Sequence, residues 1–189
     1  MTPLLDAAAA VQVCCEDHGW GFCFIGGLAV LRWGDPRVTR DVDVTVLAAF
    51  GHETPVIDAL IERFAPRGDD PRGFALANRV VLVSADDGTP IDVSLGAIPY
   101  EERAVARATA HDLGSGTPLR TCSAEDLIVM KTFAGRDQDW LDVRGVIART
   151  GSDLDTELVM TEAADLLALK DEPTAIVRLR RLLDEIDAR

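Results

Sequence analysis

The chain has 189 residues, 48% of them hydrophobic, and carries a formal net charge of −13. That length suits one domain, or one domain with a helical appendage, around a sizeable core. The acidity speaks against a broad electrostatic grip on nucleic-acid phosphates, and no run of about 18 uncharged apolar residues exists to span a membrane.

Thr2-Pro3 starts a helix that Gly19 stops, with Leu4, Leu5, Ala8, Val11 and Cys15 at helical spacing. Residues 20–25 read as a short buried strand, broken by Gly26-Gly27. A brief helix over 28–33 ends at Gly34, Asp35-Pro36 turns the chain, and residues 41–47 form the second strand. A helix follows over 52–65, then a charged loop over 67–73. Strands are expected at 79–84 and 91–95, joined by an Asp-Gly hairpin at Asp87-Gly88. Residues 99–108 read as helix and 111–120 as a Gly/Ser/Thr connector. Ser123 and Asp126 match a capping box, and helices are expected over 124–134, 138–149, 155–169 and 173–188. Their leucines, among them Leu158, Leu166, Leu167, Leu169, Leu179 and Leu182, read as core. The pattern is α+β: a mixed sheet of four or five strands with helices packed on one side, then a helical C-terminal part. The expected division is an α/β domain over 1–115 and a helical region over 116–189.

The chemistry gathers between residues 25 and 47. In the run Asp41-Val-Asp43-Val a strand sends both carboxylates to one face and the valines to the other. Like charges side by side on a sheet repel, and a cation relieves the cost. Asp92, flanked by Ile91 and Val93, places a third carboxylate on a later strand. Oxygen ligands of this kind suit Mg²⁺ or Mn²⁺. Gly26-Gly27 leaves phosphates free to approach backbone N–H groups at the start of a helix. Cys14, Cys15, Cys23 and Cys122 lack C-x-x-C spacing and read as reduced buried thiols, while His18, His52 and His111 lack zinc-ligand spacing. The bland reading of Asp41 and Asp43, a solvated strand face, gives way once Gly26-Gly27 and Asp92 are counted with them.

Gly-Gly, thirteen further residues, Asp-Val-Asp and a later Ile-Asp-Val resemble the signature of the DNA polymerase β-like nucleotidyltransferase superfamily. The chain looks most like stand-alone bacterial members of the abortive-infection toxin type, which carry a strand like Thr39-Arg40-Asp41-Val42-Asp43. They also carry a helical motif like Asp126 to Lys131 followed by Arg136, Asp139 and Asp142. Gly27 stands where many members have serine. The resemblance implies a nucleotidyltransferase-like fold and transfer of an NMP from an NTP to a hydroxyl by a two-metal mechanism, with pyrophosphate released. It implies Asp41, Asp43 and Asp92 as catalytic, metal-binding carboxylates. It assigns Gly26, Gly27, Arg40, Lys131 and Arg136 to the nucleotide, while Asp139 and Asp142 read as structural partners of arginines. The acceptor stays open among tRNA, a small molecule and a protein. An antitoxin protein is the expected partner, no membrane is involved, and the expected location is cytoplasmic, no signal peptide being legible. A catalytically inactive nucleotide- or partner-binding protein of the same fold is the alternative. A tRNA acceptor would need arginines such as Arg67, Arg72, Arg79, Arg103 and Arg107 to gather into one patch.

Overall fold

Alternation of apolar and polar residues builds the centre of the molecule. In β2 (Val42–Leu47), Val42, Val44 and Val46 are fully buried, and each contributes about 2 kcal/mol of apolar burial. Its parallel neighbour β5 (Pro90–Gly96) buries Ile91, Val93 and Leu95 in the same rhythm. The computed structural model describes residues 2–170 and 173–187.

The chain forms two compact units. The first comprises residues 1–28 and 38–122 and holds a seven-stranded mixed sheet. Besides β2 and β5, its strands are β1 (Phe22–Phe24), β3 (Ala65–Pro66), β4 (Val80–Ser84), β6 (Thr109–His111) and β7 (Leu119–Thr121). The order is β3-β4-β5-β2-β1-β7-β6, with parallel pairing at β2–β5 and β1–β7 and antiparallel pairing elsewhere. Four helices complete this unit: α1 (Pro3–Asp17), α3 (Glu53–Arg63), α4 (Pro71–Asn78) and α5 (Pro99–Arg107). The expected Asp-Gly hairpin is present, closed by a hydrogen bond from the Ala85 N–H to the Thr89 carbonyl of 2.9 Å. Helix α2 (Gly26–Trp33) begins in this unit and continues in the other.

The second unit comprises residues 29–37 and 123–189. Helix α6 (Ala124–Ala134) packs on α7 (Asp137–Thr150), α8 (Thr156–Ala168) and α9 (Pro173–Asp187). Ser123 caps α6: its Oγ accepts the Asp126 N–H at 3.1 Å and donates to the Asp126 carboxylate at 3.0 Å. Val159, Ala163, Leu166, Leu167, Leu179 and Leu182 are buried, while Leu169 is exposed. Ala188, the last residue of the expected final helix, lies outside the described residues.

The α+β class and the helical C-terminal part stand as read from the sequence, and three local expectations are corrected. The sheet has seven strands rather than four or five. Residues 111–120 are not a plain connector, because β6 and β7 pair across a loop in which the Asp112 carboxylate accepts the N–H groups of Gly114, Ser115 and Gly116. The charged loop over 67–73 gives way at Pro71 to α4, capped by the Asp70 carboxylate on the Gly73 N–H at 2.9 Å. In the other direction, all four cysteines are free and buried, as expected. Burial, the charges of Cys14 and Glu16 adding to it, pushes the Cys15 thiol up to about 12, so it stays protonated and inert.

Candidate active site

The site is laid out by strand register. Asp43 on β2 stands directly beside Asp92 on β5. Asp92 in turn pairs with Leu82 of β4. Parallel neighbours in register send side chains to the same face, so the two carboxylates are adjacent members of one row. Asp41 lies two residues before Asp43, just ahead of the strand, and is exposed, whereas Asp43 and Asp92 are half-buried.

The two glycines fit against this row. The Ile25 N–H donates to the Asp43 carbonyl at 3.0 Å, which locks the end of β1 to β2 and delivers Gly26 beside the aspartate. Gly26 has φ +55°, and a Cβ there would stand 2.0 Å from Asp43 Oδ2. A Cβ on Gly27 would stand 2.0 Å from Thr39 Oγ1. The Thr39 hydroxyl donates to Asp41 Oδ1 at 3.2 Å. Glycine at 26 and 27 therefore lets the backbone lie against Asp43 and against the threonine that orients Asp41. The sequence shows the glycines as room for phosphate; the structure adds room for the carboxylates. Gly26 is half-buried, Gly27 is buried, and Arg40 is exposed.

Asp92 carries a partner that sequence reasoning missed. The Arg67 guanidinium donates from Nη2 to the Asp92 carboxylate and to the Ile91 carbonyl, the latter at 3.2 Å. The signal available was the first of two arginines in a charged loop, Arg67 and Arg72. Among the described residues, no group of three acidic, histidine or cysteine side chains stands as a metal-holding set. The donor chemistry of Asp41, Asp43 and Asp92 nevertheless suits a hard divalent cation, being all oxygen, and the collision of a Gly26 Cβ with Asp43 marks a carboxylate held in a cradle.

Lys131 and Arg136 belong to the helical unit. The Lys131 ammonium bridges Asp139 and Asp142, at 2.9 Å to each. Asp139 also accepts from Arg136 Nε at 2.6 Å, and from the Arg136 backbone N–H at 3.2 Å. Asp142 receives a two-pronged Arg37 at 3.0 and 3.1 Å and Gln138 at 3.1 Å. Burial would raise both carboxyls. At Asp139 the hydrogen bonds and charges of Arg136 and Lys131 outweigh it, and at Asp142 Arg37, Lys131 and Gln138 do, so both lie below the usual carboxylate range. Lys131 is a buried member of an ion-pair network rather than a lysine reaching for solvent. Of the arginines considered for an acceptor patch, Arg67, Arg72 and Arg79 are each bound to a carboxylate, of Asp92, Asp58 and Glu53 respectively.

The family model for the nucleotidyl transferase AbiEii toxin of type IV toxin–antitoxin systems matches residues 14–188. The chain belongs to the AbiEii family. No curated protein sequence matches it. Among solved structures, this AbiEii-family chain is similar to the antibiotic-resistance factor ANT(2'')-Ia in solution, with a TM-score of 0.56, 15% identity, and coverage of 86% of this chain and 90% of that one. The crystal structure of ANT(2'')-Ia with adenylyl-2''-tobramycin gives a TM-score of 0.56 at 16% identity, covering 86% and 95%. An antigenic nucleotidyltransferase-like protein from Paracoccidioides brasiliensis gives 0.51 at 16% identity, covering 93% and 94%. At these identities the likeness is one of fold. The sheet and the helical C-terminal part make a nucleotidyltransferase-like fold. Among the described residues, no helix is long and apolar enough to cross a membrane.

Proposed function

We propose that the chain moves an NMP from an NTP to a hydroxyl acceptor, with release of pyrophosphate, as a toxin whose functional partner is an antitoxin protein. The observation that carries this reading is the register pairing of Asp43 with Asp92, with the Asp43 carboxylate seated against Gly26. Asp41, Asp43 and Asp92 would hold Mg²⁺ or Mn²⁺, which when bound supplies Lewis-acid stabilisation of the charge that develops at the transferred phosphorus. Rigid strands fix Asp43 and Asp92, so little reorganisation is needed as that charge develops. Asp92, half-exposed, is the residue to accept the proton of the acceptor hydroxyl. Gly26 and Gly27, at the start of α2, offer backbone N–H groups to the triphosphate. Arg40, exposed just before Asp41, is a cation for the same phosphates. Lys131 and Arg136 enter through the family-like motif. Since both are tied to Asp139, their part in holding the nucleotide depends on that network.

Two features bear on the acceptor. The net charge of −13 suits a cationic small molecule, and ANT(2'')-Ia, of the same fold, has been seen with an adenylylated tobramycin. The engagement of Arg67, Arg72 and Arg79 by carboxylates weakens the case for a tRNA patch built on them. A protein hydroxyl remains the third acceptor to test. The pairing of Asp92 with Arg67 favours a second reading, a nucleotide- or partner-binding protein without catalysis. Labelled NTPs offered with tRNA, aminoglycosides and protein acceptors separate the two. Asp43→Ala is expected to lower transfer at least about 10²-fold. Equal label incorporation by wild type and variant sinks the enzymatic reading.

A further inference from the structure

Arg67 meets the carboxylate row at Asp92. It follows the edge strand β3, and its N–H donates to the Leu82 carbonyl at 3.0 Å, which extends the β3–β4 ladder by one residue. Leu82 pairs with Asp92, and Asp92 with Asp43. Arg67, Leu82, Asp92 and Asp43 therefore make one row across four strands. Two strand spacings, about 10 Å, separate Arg67 from Asp92 across β4, and closing that distance takes one of the longest side chains meeting the carboxylate part-way.

The contact is built to exchange. The Arg67 and Asp92 side chains are 34% and 38% exposed, so water reaches both, and ion pairs this open are weak. The guanidinium is also incompletely satisfied: its Nε is buried with no hydrogen-bond partner, one of two such side-chain atoms among the described residues. The fold thus places a cation on one carboxylate of an acidic pair without settling it there.

We propose that Arg67 is the counter-ion of the site, competing with the divalent cation for Asp92 so that Asp92 becomes a ligand only when the guanidinium leaves. This rests on the cation-binding reading given above. Arg67 is a positioning residue. In the absence of the divalent ion it offsets the repulsion between Asp92 and Asp43, and it sets how much free cation is needed to assemble the site.

Calorimetry of Mn²⁺ binding to the full chain without nucleotide tests this apart from activity. Arg67→Gln is expected to bind Mn²⁺ about tenfold more tightly, the scale of one charge-assisted hydrogen bond removed from competition. The gain should vanish in Arg67→Gln combined with Asp92→Asn. Mn²⁺ should also raise the melting temperature more in Arg67→Gln than in wild type. Should Arg67→Gln fail to fold, Arg67→Lys carries the test, with a smaller gain in the same direction because the shorter ammonium keeps the charge but not the reach of the guanidinium. Unchanged Mn²⁺ affinity on replacing Arg67, while Asp43→Asn abolishes binding, overturns the counter-ion role and leaves the cation site standing. Wild-type affinity in both Asp43→Asn and Asp92→Asn removes the cation site and the counter-ion role together.

Discussion

Both units bury aspartates beside cations, yet to different degrees. In the helical unit the Lys131, Asp139 and Asp142 side chains are 8%, 1% and 3% exposed, and each meets at least two partners of opposite charge. In the sheet unit Asp41 is exposed, Asp43 is half-buried, and Asp92 meets a single guanidinium while more than a third exposed. A charge that is enclosed and multiply paired is costly to break. A charge that is partly wet and singly paired can exchange its partner. The first arrangement resists change and the second, on the function proposed above, is where the divalent cation would bind, although both use the same residue types.

That contrast can be broken most directly at Asp139. Asp139→Ala leaves Lys131 and Arg136 short of a partner and should lower stability by about 3 kcal/mol or more, seen in chemical unfolding. The mirror change in the sheet unit, Asp41→Ala, removes an exposed carboxylate with one hydroxyl contact and should move stability by no more than about 0.5 kcal/mol. Equal losses would erase the distinction. Next in size is Gly26→Ala. It imposes φ +55° on a residue with a Cβ and drives that carbon into Asp43, so a loss of about 2 kcal/mol is expected, together with weaker Mn²⁺ binding. Retained Mn²⁺ affinity would show that the glycine does not place the carboxylate. The smallest effect is a pH dependence. Asp139 and Asp142 have folded-state values below their unfolded ones, so their contribution is complete above the unfolded value of about 3.9. It is lost as pH falls from there through the lowered folded values. Unfolding midpoints measured from pH 6 to pH 3 should fall more steeply in wild type than in Asp139→Asn.

The sequence revealed most where local rules and tertiary structure agree. The Ser123 cap and Gly135 stop define α6 to the residue, and Asp87-Gly88 marks its hairpin. The alternation in β2 was enough to tell the carboxylate face from the valine face. Helix α4 escaped notice because Gly73 and the charges before it read as loop, although Asp70-Pro71 is a sound cap. The three-residue strands β6 and β7 are too short to show a period, and β6 is exposed throughout. At the site, the Asp43–Asp92 pairing needed only a correct guess of register. The Arg67 contact needed the position of an edge strand two residues long. Lys131 was visible as an isolated lysine, and Asp139 and Asp142 as partners for arginines, yet their meeting depends on two helices folding back on one another.

The chain passes between the two units at residues 28 to 29, 37 to 38 and 122 to 123. Only the last of these is a simple end-to-end junction. The stretch over 29–37 is an insertion from the sheet's share of sequence into the helical unit, anchored there by Arg37 on Asp142 across 105 residues and by Arg149 on the Gly34 carbonyl. The helical part is therefore not a detachable cassette. A single cut after Cys122 would strand Arg37 from its carboxylate and leave the segment leading to Thr39 and Asp41 without its far anchor. Recombination between relatives that respects this architecture has to exchange residues 29–37 together with the C-terminal helices.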